Sequence, residues 1–361
     1  MVRLFAAIPL ALLLAPGLAQ AEPATLVSPF AHRVHHFSPI ALSEPAAVCP
    51  RPPAVEHNVM GLTFYTDKQR SIPNTEREKL NGAVVKYGRD FIDGVDRFAD
   101  AAALHGDAHA GRCALAWMEN WAAGHAFEGK SNQQGKFERK WRLTGLALVY
   151  MKLHDTGLVT AQNSEPVLAW LTRLVALVKP AYDDMSTSYS KNNHAYWAGS
   201  GLAALGIATN NHALFDWGMA RYRMGVDSVT SEGVLKSEIW RGQRALHYHL
   251  FALTPLVMLA EMGEVNGIDT YAMDHAALRR LVDRSLYGVA HPDWFSKKAG
   301  TLQDINAKYK LRPDEIAWTE QYQARFPTTA LVPLLRARRP IILWRDGGNL
   351  TGLYDTSLAV R

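Results

Sequence analysis

The sequence predicts an all-α protein made of stacked antiparallel helical hairpins. Eight segments carry apolar residues at steps of three and four, the period of an α-helix with a buried face. The joins between them are short, which favours antiparallel neighbours. The segments are 80–104, 113–126, 137–153, 165–178, 194–209, 211–226, 245–262 and 271–288.

Glycine and proline divide this helical pattern. We expect helices to stop near Gly106, Pro180, Gly233 and Gly263. A strand pattern persists only in 341–353, where we expect short strands or extended loops.

The first 21 residues are typical of a secretory signal peptide. A positive start at Arg3 precedes an apolar run, and the small residues Ala19 and Ala21 form a cleavage site. We expect cleavage before Glu22, the alternative being an uncleaved anchor. We expect no later segment to span a membrane, and residues 22–361 to form a single domain.

Cysteine content and charge narrow the class of protein. The two cysteines, Cys49 and Cys113, predict one disulfide in an oxidising compartment, and the alternative is two buried thiols. The net charge of +5 and the pI of about 9.1 fit an acidic polymer as partner. The sequence has no recognisable nucleic-acid motif, and the secretory start argues against a nucleic-acid partner.

A polar segment near the start, GLTFYTDKQRSIP at 61–73, interrupts the pattern. It follows an arm rich in Pro, Ala and Ser at 22–53. We interpret it as a mobile lid loop in which Tyr65, Lys68 and Arg70 close over an acidic ligand. An ordinary surface loop is the alternative.

The stretch RGQRALHYHLFAL at 241–253 carries the first group of candidate site residues. Arg241 and Tyr248 are seven residues apart, so on a helix both project from one face. A cation and a phenol on one wall are suited to acidifying and removing a carbon-bound proton beside a carboxylate. The stretch also contains Arg244, His247 and His249, and taken alone it is compatible with an ordinary basic helix.

The second segment, KNNHAYWAG at 191–199, supplies partners. Asn193 offers an amide donor, and His194 is able to act as a base near neutral pH. Trp197 is four residues from Asn193, shares its helical face and offers a flat surface for a sugar ring. Without a partner segment, these residues would equally fit a helix cap and a core tryptophan.

Together, NNH-x-YW and R-x-x-R-A-L-x-YH resemble the alginate lyases of polysaccharide lyase family five. The resemblance extends through the loop at 61–73, the cysteine pair, GKFERKW at 135–141, LFDW at 214–217 and, weakly, RDGGNLTGLYD at 345–355. It implies an incomplete (α/α) toroid with a deep groove and β-elimination on a polyuronate.

The resemblance also implies roles for four catalytic residues. Asn193 and Arg241 would neutralise the uronate carboxylate, which stabilises the charge that develops in the transition state. Tyr248 would protonate the departing oxygen, and would also act as base when both events lie on one face of the ring. His194 would be the base, or the group that keeps Tyr248 deprotonated. No cofactor or metal is expected, since arginine and asparagine neutralise the carboxylate and no HExxH or calcium-loop motif occurs.

Further residues are assigned to substrate binding. Tyr65 and Lys68 match the family's lid loop, and Trp141 and Trp197 match aromatic positions along its cleft. Arg338 or Arg345 would hold a neighbouring carboxylate, or be solvated surface arginines. Arg244 and His247, which belong to the same stretch as Arg241 and Tyr248, are also assigned to substrate binding.

His247 is the residue most expected to alter specificity. A charged imidazolium beside Tyr248 would favour the ionised phenol, and that charge would fade near neutral pH. We therefore hypothesise a pH-dependent rate and substrate preference.

The leading hypothesis is a monomeric periplasmic lyase for mannuronate-rich alginate. A lyase for polyglucuronate or hyaluronan is the nearest alternative. A glycoside hydrolase would need two carboxylates flanking the bond, for which the motif segments offer only Glu232 and Glu238. A non-catalytic scaffold in a polymer-export complex is a third class.

Overall fold

Thirteen α-helices of varied length account for most of the structure between residues 75 and 338. The structure is a computed structural model that describes residues 24–38, 48–306, 308–356 and 358 of the 361-residue chain. The predicted signal peptide lies outside the described residues.

All eight predicted helical segments are helices, and together they form the body of the fold. They are α1 (Thr75–His105), α2 (Ala108–Ala123), α3 (Gln133–Asp155), α4 (Ala161–Asp183), α5 (Asn193–Ala208), α6 (His212–Asp227), α8 (Ala245–Val265) and α9 (Met273–Ala290), with the short α7 (Lys236–Ile239) before α8.

Shorter elements complete the chain. They are α10 (Pro292–Ala299), α11 (Pro313–Ile316), α12 (Trp318–Arg325), α13 (Val332–Arg338) and α14 (Leu350–Tyr354). Strands β1 (Ile342–Leu343) and β2 (Gly348–Asn349) pair antiparallel, with Leu343 opposite Gly348. The expected extended segment at 341–353 is thus two very short strands around a 3-10 turn, Trp344–Asp346.

Two predicted helix stops are wrong. Pro180 lies in the last turn of α4, which continues to Asp183. Gly263 lies inside α8, where a Cβ would come within 2.4 Å of Thr270 Cγ2. This glycine permits close packing and does not end the helix.

The helices form two layers of antiparallel hairpins. α1, α3, α5 and α8 pack side by side as an inner layer, and α2, α4, α6 and α9 each pair with one of them on the outside. Inner helices α3, α5 and α8 are buried on nearly every side. Helices that are apolar all round belong in the interior of a large protein. This arrangement is the helical toroid that the resemblance implied.

Helix α8 is apolar along its length. Residues 242–265 pass a length-and-hydropathy test for a membrane span, against our expectation, but their apolar window is entirely buried in the protein. The stretch is therefore the core helix of the toroid.

The inner helices begin at one end of the toroid. Asn74, Asn132 and Asn192 cap α1, α3 and α5, their side chains accepting hydrogen bonds from backbone N–H groups of the first turn. Residues from the first turns of these helices line one cavity. Because helix N-termini carry partial positive charge, the fold itself favours an anion there.

Candidate active site

The cavity at the helix starts has a volume of about 290 Å³ and is strongly cationic. The predicted lid loop covers part of it through residues 63–65 and Arg70. Its lining contains six arginines against three carboxylates, which favours an acidic ligand. The arginines are Arg70, Arg89, Arg241, Arg244, Arg312 and Arg345, and the carboxylates are Glu78, Glu138 and Asp314.

The structure brings the four predicted catalytic residues, Asn193, His194, Arg241 and Tyr248, together in this cavity. The local geometry differs from the expected continuous helix. Arg241 precedes a 3-10 turn, Gly242–Arg244, in which Gly242 has a φ of +53°, and α8 begins only at Ala245. The Arg241 guanidinium nevertheless lies 3.4 Å from the centroid of the Tyr248 ring.

Tyr248 is the end of a hydrogen-bonded chain. Its hydroxyl lies 2.6 Å from the hydroxyl of Tyr65, which accepts a hydrogen bond of 2.7 Å from Arg244 Nη1. Burial raises the pKa of Tyr65. Tyr65 therefore remains a neutral phenol whose O–H is available to donate to the Tyr248 oxygen.

Arg241 connects this centre to the lid. Its Nε and Nη2 donate to the backbone carbonyls of Gln69 and Arg70, at 2.8 and 2.9 Å. Its Nη1 lies 3.8 Å from a carboxylate oxygen of Glu238. A substrate carboxylate would have to compete with the lid carbonyls for this guanidinium.

Asn193 is held by a residue that our sequence reading did not place in the site. Its backbone N and Nδ2 both donate to Glu238 Oε1, at 3.0 and 2.9 Å. Both residues are fully buried, and burial raises the pKa of Glu238. One of the two hydrogens of the Asn193 side-chain amide is therefore bonded to Glu238, in addition to the backbone N–H.

His194 is held by aromatic and cationic neighbours. Its ring stacks on Phe137 with centroids 4.1 Å apart, and its Nδ1 lies 3.0 Å from Lys140 Nζ. Burial lowers the pKa of His194 well below its usual value, and the charges of Lys140, Arg241 and Arg70 lower it further. The imidazole is thus kept neutral.

Five of the predicted substrate-binding residues line the cavity. They are Tyr65, Trp141, Arg244, His247 and Arg345. Arg345 reaches it from the 3-10 turn beside α3, its guanidinium 5.0 Å from the Trp141 ring centroid. Burial lowers the pKa of Arg345 to about 10.

The other three do not line the cavity. Lys68 is exposed on the lid. Trp197 is fully buried against Phe251, because its helix is enclosed on all sides, so it is a core residue and not a sugar platform. Arg338 donates to the backbone carbonyl of Leu311 instead.

The surroundings of His247 do not support titration near neutral pH. Burial lowers its pKa well below the usual value, and Arg312 and Arg244 act in the same direction. Its Nδ1 lies 2.5 Å from Glu315 Oε1, away from the Tyr248 hydroxyl, although the two rings meet edge to face. The proposed loss of its charge near neutrality is therefore not favoured.

Several residues of the site escaped sequence reasoning. Lys140 and Glu238 support His194 and Asn193, while Arg89, Arg312 and Asp314 line the cavity. Lys140 lies in the segment GKFERKW, which was noted only for its resemblance to the family, and the other charged residues of that segment gave no sign that this lysine is the one beside His194. Arg312 and Asp314 come from a segment without helical periodicity, which offered no signal either.

The disulfide prediction is confirmed. Cys49 and Cys113 are bonded, with Cα atoms 5.3 Å apart. The pair forms the one cluster with metal-ligand spacing found among the described residues, together with His109. Disulfide sulfurs are not thiolate ligands, so this cluster is not a metal site.

The two-layer helical toroid and its cationic cavity define the class as a helical protein with a site suited to an anionic ligand. The alginate lyase family model matches residues 60–295. The chain is 34% identical over 316 residues to a polysaccharide lyase of Stenotrophomonas maltophilia, covering 86% of this chain and 92% of that protein. It is 39% identical over 251 residues to an alginate lyase of Pseudomonas fluorescens, covering 67% and 66%.

Solved structures agree on the fold. Alginate lyase A1-III complexed with a tetrasaccharide superposes with a TM-score of 0.75 at 22% identity, over 92% of this chain and 97% of that chain. The chain belongs to the alginate lyase family and is a polysaccharide lyase.

Membership of this family rules against the glycoside hydrolase hypothesis. Glu232 pairs with Lys298 at the surface, half exposed, and does not line the groove. Glu238 supports Asn193 from within the protein. These two carboxylates therefore do not flank a common site.

Proposed function

We propose that this protein cleaves mannuronate-rich alginate in the periplasm by β-elimination. The observation that carries the proposal is the contact between Arg241 and Tyr248 within a groove that holds six arginines. A guanidinium 3.4 Å from the phenol ring stabilises negative charge on the phenol and on a carboxylate beside it.

The reaction has three requirements at one sugar: neutralisation of the carboxylate, removal of the proton on carbon five and protonation of the departing oxygen. Arg241 and Asn193 neutralise the carboxylate, so that charge moves into it when the proton on carbon five leaves. Tyr248 takes that proton and returns one to the departing glycosidic oxygen when both lie on one face. Tyr65 donates to the Tyr248 oxygen and so supports its ionised form.

Lid movement is part of the proposal. Because Arg241 holds the carbonyls of Gln69 and Arg70, the incoming carboxylate replaces them and frees the loop to settle over the chain. The remaining arginines of the groove supply charge for neighbouring uronates. No metal is required for this charge neutralisation, and EDTA is expected to leave the rate unchanged.

The test uses four polymers and one optical signal. We would incubate the mature protein with polymannuronate, polyguluronate, polyglucuronate and hyaluronan, and follow ultraviolet absorbance of the unsaturated product. Fastest absorbance on polymannuronate is expected. Absence of signal on all four would refute the lyase function. Preference for polyglucuronate or hyaluronan would keep the chemistry and replace the substrate.

The location is tested separately. Osmotic-shock release of the protein, with Glu22 as its first residue, is expected for export and cleavage of residues 1–21. Retention of that segment in the membrane fraction would contradict the periplasmic assignment and indicate an anchor.

A further inference from the structure

Lys140 is a buried lysine to which the proposed reaction assigns no role. It lies on α3 with no exposed surface, and its Nζ is 3.0 Å from His194 Nδ1. No carboxylate of the described chain comes within 4.0 Å of that ammonium to form an ion pair. Burying such a group without a carboxylate is costly, so its position beside His194 calls for a functional explanation.

The two ring nitrogens of His194 have different surroundings. Nδ1 faces Lys140, while the ring is fixed by stacking on Phe137. Within the described chain Nε2 has no hydrogen-bond partner, yet it is not among the buried atoms that lack one. Since His194 lines the groove, Nε2 is the nitrogen that faces the substrate.

Lysine chemistry then decides where the imidazole proton sits. An ammonium has three donors and no acceptor, so Nδ1 must accept from it. The face of the Trp141 ring, 3.9 Å from Nζ, favours the charged ammonium. Burial and Arg345 oppose that charge and lower the pKa of Lys140 well below its usual value, so the ammonium form is part of the proposal and is what the tautomer measurement tests.

We propose that Lys140 is a positioning residue that keeps the proton of neutral His194 on Nε2, so that His194 donates a hydrogen bond to the sugar carboxylate. The inference rests on the proposed function and deepens it. Nε2–H is not a base, and therefore Tyr248 alone removes the proton on carbon five. Of the two roles left open for His194, base or supporting group, the contact favours support.

The first experiment reads the tautomer directly in the substrate-free enzyme. Nitrogen NMR of protein with isotope-labelled histidine, assigned by loss of one signal in His194→Gln, reports which ring nitrogen carries the proton. A protonated Nε2 and a bare Nδ1 are expected. A proton on Nδ1 would overturn the proposal, because an amine at Lys140 would then be the acceptor. This readout is independent of lyase activity.

The second experiment separates positioning from folding. Lys140→Met removes the hydrogen-bond donor while keeping most of the length of the side chain. It is expected to lower kcat by roughly 10- to 100-fold, with little change in KM. Lys140→Gln keeps an N–H donor, so a smaller loss is expected. Lys136→Met, at an exposed position in the first turn of the same helix and outside the cavity lining, is the matched control and should retain wild-type rates.

The melting temperature of Lys140→Met separates a positioning role from a role in folding. Because the lysine is buried without a carboxylate, Lys140→Met is expected to melt no lower than wild type. A folded Lys140→Met enzyme with wild-type kcat would overturn the proposal. If Lys140→Met fails to fold, Lys140→Leu, which also lacks a donor, takes its place, and an unchanged tautomer together with an unchanged kcat in that variant would contradict the proposal.

Discussion

Tyr248 is the residue on which three contacts converge. It receives the Arg241 guanidinium over its ring, the Tyr65 hydroxyl at its oxygen and the edge of His247 beside it. The proposed function assigns proton transfer to its hydroxyl, with Arg241 and Tyr65 acting by charge and hydrogen bonding.

Tyr248→Phe is therefore expected to lower kcat by about 10²–10⁴-fold, the usual contribution of a general acid or base. Binding should persist, since the ring and Arg241 remain. Product absorbance and equilibrium binding of polymannuronate check the two parts. Tyr287→Phe, at an exposed position, is the control. Full activity of Tyr248→Phe would refute the assigned role.

Among single residues, the sequence predicted four that the structure places in one cavity, but through partly wrong geometry. Spacing suggested that Arg241 and Tyr248 share a helical face, but a 3-10 turn at Gly242 brings them together. Trp197 was misplaced because aromatic residues serve cores and grooves alike, and burial alone separates the two uses. Lys140 and Glu238 lie in segments that the sequence analysis quoted, but they contact His194 and Asn193 from within the protein, and only the structure shows those contacts.

Among the elements, the lid is held mainly by its backbone. Arg241 binds the carbonyls of Gln69 and Arg70, and Gln243 Nε2 donates to the carbonyl of Ser71 at 3.0 Å. Together with the contacts of Tyr65 to Tyr248 and Arg244, these hydrogen bonds join the lid to the body of the protein, and removing one is expected to raise the fraction of open lid.

Gln243→Ala removes one of these bonds, worth about 0.5–1.5 kcal/mol. Tryptic cleavage after Lys68 or Arg70 should then be roughly 2- to 10-fold faster. Gln69→Ala is the control, because it leaves intact the backbone carbonyl that Arg241 binds. Equal cleavage rates in wild type and Gln243→Ala would show that this contact does not hold the lid.

Helix α8 is tied to the preceding segment by a buried histidine. His249 Nε2 accepts from the backbone N–H of Leu235 at 3.0 Å, and Nδ1 donates to the Ala245 carbonyl at 2.7 Å. Burial lowers the pKa of His249 to about 4. Its contribution to stability is fully present above the unfolded-state pKa of about 6.5 and is lost as pH falls toward 4.

His249→Gln is expected to flatten the pH dependence of the free energy of unfolding by up to about 3 kcal/mol between about pH 6.5 and 4. Urea unfolding across that range measures it. Subtracting the pH dependence of His249→Gln from that of wild type gives the contribution of His249 apart from the other buried histidines. His291→Gln, at an exposed position, is the control. Identical pH dependence in wild type and His249→Gln would contradict the linkage.

The helices themselves were largely predictable, because each of the eight is a long segment with apolar residues at helical spacing, although α3, α5 and α8 are buried on nearly every side and not on one face. The ends of the helices were less predictable from the sequence. Pro180 and Gly263 act within helices because tertiary packing outweighs a local preference, as the close approach of Thr270 to Gly263 illustrates. The segment at 304–315 has no period, and its placement of Arg312 in the groove depends on the assembled toroid.

At the scale of the whole molecule, one covalent bond ties the entry segment to the toroid. Cys49 and Cys113 are 64 residues apart, and the segment between them also gives its Pro50 and Pro53 carbonyls to Trp117 and Trp121 on α2. None of these residues lines the groove. The bond should therefore act on stability and leave the chemistry untouched.

Closing a loop of this length restricts the unfolded chain by about 4 kcal/mol in the chain-entropy model, and measured effects are typically about 2–4 kcal/mol. The double variant Cys49→Ser, Cys113→Ser should lose that amount of unfolding free energy and melt lower. It should keep wild-type kcat at room temperature. Reductant should lower the melting temperature of wild type toward that of the variant and leave the variant unchanged. A wild-type melting temperature unaffected by reductant, with both thiols shown to be free, would mean that the hydrogen bonds to Trp117 and Trp121 hold the segment without the bond.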